Sequence, residues 1–237
     1  MSKKDTELST IMFEEDANVG LESIGKDDLA IPFLTILQSN SPQLMEDKAL
    51  RPGMIFDTVL KKGYEEILVI PCNYEKQYVE WTPREQGGGI QGTHSASEGL
   101  ELLKACKKDD KGKDILPNGN LLVPTAVYYV VYTENGNMDL SKAIISMTST
   151  ALKKSRRWNS VMAGKTMRGK EGQSFTPPSF GHIYKMATVG EKNVHGSWYN
   201  WDITMHAPVS DQAVYSTSKQ FATDMEKSKI QPQLPPF

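Results

Sequence analysis

Residues 151–170 read ALKKSRRWNSVMAGKTMRGK, which brings Lys153, Lys154, Arg156, Arg157, Lys165, Arg168 and Lys170 together with no carboxylate among them. Cations this dense repel one another unless an anion lies alongside, and their head groups make good phosphate contacts. Trp158 adds a flat surface on which a base can stack. Ala151, Ser155, Trp158 and Met162 also recur at helical spacing. Trp158 can therefore anchor a helix to a core while Lys153, Lys154, Arg156 and Arg157 spread over the remaining surface. The plain alternative is a solvated helix face.

Strand alternation picks out further aromatics. In the stretch 198–205, WYNWDITM, one face carries Tyr199, Trp201, Ile203 and Met205, and the other carries Trp198 with Asn200, Asp202 and Thr204. Trp198 thus stands on a polar face, where stacking against a base would cover it. In the stretch 74–81, Tyr74, Lys76 and Tyr78 share the face opposite Val79 and Trp81 and form a second candidate platform. The competing reading for each ring is a satellite core beneath a loop, since Trp and Tyr are usually well buried.

Other chemistries find less support. Asn159 to Thr166 approaches the phosphate-loop pattern, but Asn159 stands where its first glycine belongs and no buried apolar strand precedes it. His94, His182, His195 and His206 are scattered, and His94 with Glu98 in a Gly-rich loop is a faint metal hint. Asp109, Asp110 and Asp114 lack the ligand order of a calcium loop. Glu65, Glu66 and Glu80, at strand positions, are the carboxylates a metal-dependent nuclease could use. No metal or cofactor is expected. Cys72 and Cys106 are the two cysteines and read as free thiols, Cys72 in a buried strand.

The elements that must position these residues are mostly strands. MIFDTVL, EILVIPCNY, KQYVEWT, LLVPTAVYYVVYT, KAIISMTST, HIYKMATV and GSWYNWDITMH are β-branched and aromatic runs separated by Gly, Pro, Asn and Asp, which predicts an all-β sheet or barrel. Helices are expected at 150–163 and at about 209–229, the latter capped by Ser210 or Asp211. Polar stretches at 84–99, 107–120 and 167–179 read as long loops at a binding face. The organisation expected is an acidic flexible arm over 1–20, one domain over 21–209, and a helix with a proline-rich tail over 210–237. With 237 residues, 38% hydrophobic and 24% charged, and a formal net charge of −2, the composition is that of a globular protein. No run approaches a membrane span and the start has no signal-peptide core, so a cytoplasmic location is expected.

Taken together, DDLAIPFLTILQSNSPQ, VIPCNYEKQYVEW, LKKSRRWNSVM and NVHGSWYNWDI are similar to a group of tailed-bacteriophage proteins that resembles phage single-stranded DNA-binding proteins of the OB-fold type. The similarity runs from about residue 20 to 205. It implies a mainly β, OB-fold-like Greek-key barrel, with one or two helices and long loops, that coats single-stranded DNA during phage replication or recombination. It implies no enzymatic activity. DNA phosphates would meet the seven cations, and bases would stack on Trp198, Tyr74 or Tyr78. The Pro235-Pro236-Phe237 ending resembles the aromatic tip with which such proteins recruit replication or recombination enzymes, although only Asp224 and Glu226 lie near it. A strand-annealing recombination protein, a metal-dependent nuclease and a phage structural protein are the other readings. Oligomeric state is left open.

Overall fold

The computed structural model describes residues 16, 17, 19–23, 30–134, 139–194 and 196–227. The chain divides into two units, Met1–Ile31 and Pro32–Phe237. In the first, the described residues form turns, one closed by the Val19 N–H donating to the Asp16 carbonyl. The second unit carries every named element. In chain order it begins with β1 (Leu34–Ile36), α1 (Gln43–Glu46), β2 (Ile55–Asp57), β3 (Lys62–Tyr64) and β4 (Ile67–Trp81). There follow β5 (Ile90–Ser95), α2 (Ala96–Ala105), β6 (Lys107–Lys108), β7 (Asp114–Ile115), β8 (Leu121–Thr133) and β9 (Ser141–Thr148). The chain then forms α3 (Ala151–Ala163), β10 (Met167–Arg168), β11 (Ser174–Phe175), β12 (His182–Asn193), β13 (Gly196–Pro208) and α4 (Gln212–Lys227).

Mainly β architecture follows from the long β-branched and aromatic runs. β4 and β8 pair antiparallel along nearly their whole length; β9 adds to the other edge of β8, and β12 pairs with β4 and with β13. The sheet curls round one core. Ile67 and Val69 of β4, Tyr128, Val130 and Tyr132 of β8, Ile145 and Met147 of β9, Tyr184 and Met186 of β12, and Trp201 of β13 all point into it. The two runs expected at 66–74 and 76–82 are one strand. A register shift between Pro71 and Asn73 inserts an extra residue, so the inward face passes from the odd positions 67 and 69 to Tyr74, which pairs with inward-facing Tyr128.

The open side of this barrel-like sheet is spanned by the segment around β1. Phe33 bridges to Ile144 of β9, whose N–H donates to the Pro32 carbonyl at 2.8 Å. On the other side the Gln38 amide imitates a strand, donating to the Tyr199 carbonyl at 2.9 Å and accepting from the Tyr199 N–H at 2.8 Å. The Tyr199 ring then lies over Gly53, where a Cβ would stand 2.7 Å from Cε1.

Helices close the remaining surfaces. α3 seals one end of the core through Trp158, which is 2% exposed and stacks on Tyr128 with ring centroids 4.4 Å apart. α4 starts at the Asp211 carboxylate, which accepts the Val214 N–H, and lays buried Phe221 edge-on to Tyr129 on the outer face of β8. Cys72 is buried and its thiol is pushed up to about 12 by that burial.

The regions expected as long loops contain ordered pieces. β5 and the start of α2 fall in 84–99, β6 and β7 in 107–120, and β10 and β11 in 167–179. α2 was not anticipated, and it begins with a capping box: the Glu98 N–H donates to Ser95 Oγ and the Ser95 N–H to the Glu98 carboxylate. Among the described residues there are four α-helices, where one or two were expected. None of these is long and apolar enough to cross a membrane. Residues 228–237, including the Pro-Pro-Phe ending, lie outside the described residues.

Candidate nucleic-acid interface

α3 forms where its sequence has helix-compatible residues and neither Pro nor Gly, and it ends at Gly164. Ser155 and Trp158 face the core, with Ala151, Leu152 and Met162 packed beside them. Lys153, Arg156, Arg157 and Ser160 lie on the exposed stripe at helical spacing. Lys153, Arg156 and Arg157 form no ion pair with any described residue. Lys154 departs from the expectation of a fully uncompensated run: its Nζ lies 2.9 Å from Glu191 Oε1 on β12. Glu191 also accepts the Asn200 Nδ2–H at 2.8 Å. That hydrogen bond, and then Lys154, holds the Glu191 carboxyl below the usual carboxylate range.

Between α3 and β13 lies a cavity of ≈ 230 Å³. Its lining combines the rings of Trp158, Tyr184 and Trp201 with the apolar side chains of Val161, Ile203 and Met205. Lys154 and Arg157 line it from α3, Asp202 and Thr204 from β13. Trp158 is therefore buried core and does not offer an exposed stacking face, yet it forms part of this lining. Its Nε1 is buried with no hydrogen-bond partner among the described residues. Cavity residues Val161, Tyr184, Asp202, Thr204 and Met205, and the tether Glu191, were not singled out from sequence. The one available signal was the polar character of Asp202 and Thr204 on a strand that also carries core residues.

The second platform splits. Tyr74 is 40% exposed and its ring lies 5.0 Å from that of Tyr128. Tyr128 stacks on Trp158, which meets Tyr184 edge-on at 5.5 Å. A row of rings thus leads from exposed Tyr74 to the cavity lining. Lys76 is exposed, with Nζ 5.3 Å from the Tyr78 ring. Tyr78 itself is corrected from platform to core: it is 3% exposed and packs with Leu116 and Leu122 under α2. Trp198 is half-buried in β13, opposite Glu191 in the ladder, so less of its ring is available than a fully exposed position would offer.

Lys165, Arg168 and Lys170 follow α3, with Arg168 in the small β10–β11 hairpin and Lys170 in its turn region. Lys165 lies near His182, whose pKa is lowered by burial first and by that cation second. The Gly164-Lys165 pair ends a helix instead of opening one, which is opposite to a phosphate loop. The carboxylates considered for metal chemistry have separate partners. Glu65 pairs with Arg51, Glu66 with Lys185, and Glu80 accepts from Asn118 and Asn120 and lies 3.1 Å from His94 Nε2. Glu98 caps α2 and does not join His94. Among the described residues no group of three or more His, Cys, Asp or Glu side chains could hold a metal ion. Phe237 lies outside the described residues.

A model of the family described as Pam3 phage gp34-like protein matches residues 3–231. No curated protein matches the chain, and no solved structure does.

Proposed function

Because the chain belongs to the Pam3 phage gp34-like family, a phage family, we propose that it is a non-enzymatic protein that binds and coats single-stranded DNA during phage replication or recombination. The observation that carries this reading is the stripe of Lys153, Arg156 and Arg157, exposed and without an ion pair to any described residue, along a helix that borders a cavity lined by aromatic rings. Phosphates need cations that no carboxylate has already taken, and bases need flat apolar surfaces nearby.

The connectivity supports an OB-type version of the fold. β4 pairs with β8 and β12, β8 with β9, and β12 with β13, while α3 joins β9 to β12 and seals one end, in keeping with a partly open Greek-key barrel of five strands. OB domains commonly bind oligonucleotides on the face of their second and third strands. Here α4 covers part of the outer face of β8, with Phe221 on Tyr129. The DNA path is therefore assigned along α3 and past Tyr74.

The test is a titration of labelled single-stranded and duplex oligonucleotides at two salt concentrations. Single strands should bind more tightly, with affinity falling steeply as salt rises. Absence of binding to either form would reject the reading in favour of a structural role.

A further inference from the structure

β13 is the outermost strand of its sheet. Its register with β12 runs unbroken from Tyr199 to Met205, and the Tyr199 N–H and C=O both turn away from β12 to meet the Gln38 amide. Backbone direction alternates along a strand, so the N–H and C=O groups of Trp201, Ile203 and Met205 point away from β12 as well. Asn200 Oδ1 accepts the Trp201 N–H at 2.9 Å. The Trp201 carbonyl and both backbone groups of Ile203 and of Met205 have no hydrogen-bond partner among the described residues. Gln38 closes one end of this row; at the other, a register shift opposite Ile183 and Tyr184 breaks the ladder and Pro208 ends the strand. A bare stretch of edge is a template for a further strand.

The cavity beside α3 runs along this edge. Trp201, Asp202, Ile203, Thr204 and Met205 all line it although alternate side chains point to opposite faces, so the strand presents its backbone to the space. Across from it stand apolar Val161 and Arg157, and Arg157 makes no ion pair with any described residue. At ≈ 230 Å³ the cavity lies below the roughly 300–1,000 Å³ of pockets that enclose a drug-sized ligand, so it suits the side chains of a chain lying alongside. We infer that β13 takes an added strand: an extended peptide segment of another protein, antiparallel to β13, with alternate apolar residues entering the cavity and a carboxylate among them meeting Arg157. A polynucleotide has no alternating N–H and C=O groups with which to complete the row. A second copy joined β13 to β13 would bring a second Arg157 to the same edge, where like charges repel. The inference stands apart from the DNA reading, whose base-stacking ring is exposed Tyr74.

The probe is the fluorescein-labelled peptide Thr-Leu-Thr-Asp-Thr-Leu-Thr, which reads the same in both directions. Paired antiparallel with its aspartate opposite Ile203, it turns the leucine and aspartate N–H groups towards β13 and the threonine N–H groups away. Fluorescence anisotropy with the full chain should show saturable binding. N-methylation of the leucine and aspartate amides should weaken it at least about tenfold, and N-methylation of the threonine amides by less than about twofold. Lysine in place of the aspartate should weaken binding about tenfold, and Arg157→Glu should reverse that order. Ile203→Pro removes one edge N–H at a position where an edge strand tolerates proline, and should abolish peptide binding in a protein whose thermal melting is retained. No binding of the peptide, or equal loss from both methylation patterns, would overturn the added strand. A dimer on sizing that folded Ile203→Pro disperses would give the edge to a second copy, and oligo(dT) binding lost in that variant would give it to DNA; either result overturns the proposal.

Discussion

Arg156 and Arg157 are exposed and make no ion pair with any described residue, so each is free to release a counterion from DNA. Reversing both to Glu should weaken single-strand binding at every sequence. It should also flatten the salt dependence, by about 1.4 in the slope of log affinity against log salt if each contributes one phosphate contact. A folded double mutant with an unchanged slope would move the DNA path away from α3. Tyr74 makes a different kind of claim. Its ring is 40% exposed and rests on Tyr128, so Tyr74→Ala should cost about 1–3 kcal/mol of DNA affinity with little change in Tm. A large loss of Tm with affinity retained would make Tyr74 a packing residue. The same truncation at Trp158, buried between Tyr128 and Tyr184, would chiefly remove fold stability.

The elements are joined by a few side-chain tethers. α3 is held to the β12–β13 hairpin by Lys154 and Glu191, with Asn200 fixing the carboxylate. Glu191→Gln keeps the shape and removes the charge, which leaves Lys154 free. Binding of single-stranded DNA should then tighten, with a salt slope steeper by about 0.7; a slope identical to that of the unmodified protein would show that Lys154 cannot reach the DNA. α2 depends on a close approach. A Cβ on Gly99 would lie 2.0 Å from Tyr78 Cδ2, so the usual gain from replacing a helical glycine by alanine is reversed here. Gly99→Ala should destabilise by roughly 1–3 kcal/mol, as overpacking does, and thermal melting would register it while α3 keeps its DNA affinity. An unchanged or raised Tm would mean that α2 sits further from β4.

Across residues 32–227, three carboxylates in separate places are held below their ordinary value of 4.5. Glu80 is held by the Asn120 and Asn118 amides, Glu98 by Ser95 at the head of α2, and Glu191 by Asn200 and Lys154. A depressed carboxyl pKa contributes stability that is fully present above the unfolded value and is lost as pH falls through the folded one. Tm should therefore hold on descending to about pH 5 and then drop below 4.5. A triple variant, Glu80→Gln, Glu98→Gln and Glu191→Gln, should start from a lower Tm and lose less of it over that interval. Parallel acid profiles for the two proteins would place the acid sensitivity elsewhere.

Local chemistry in the chain was sufficient for several features. The basic helix expected at 150–163 is α3 at Ala151–Ala163, and the cap expected at Ser210 or Asp211 is Asp211, because helix propensity and capping act within a few residues. The long β-branched runs became strands for the same reason, and the capping box at Ser95 and Glu98 was equally readable in the letters before α2. Alternation showed which residues share a face, but what covers that face depends on residues distant in sequence. Tyr74 and Tyr78 lie on one side of β4, yet only Tyr78 is buried, because α2 docks on it. Lys154 reads as a free cation within its run, yet Glu191 neutralises it from another element. The cavity joins α3 to β13, with lining residues drawn from segments separated by the β10–β11 hairpin. Burial and charge pairing are settled by such long-range approach, which is why the cations were legible in sequence and their surroundings were decided by the tertiary structure alone.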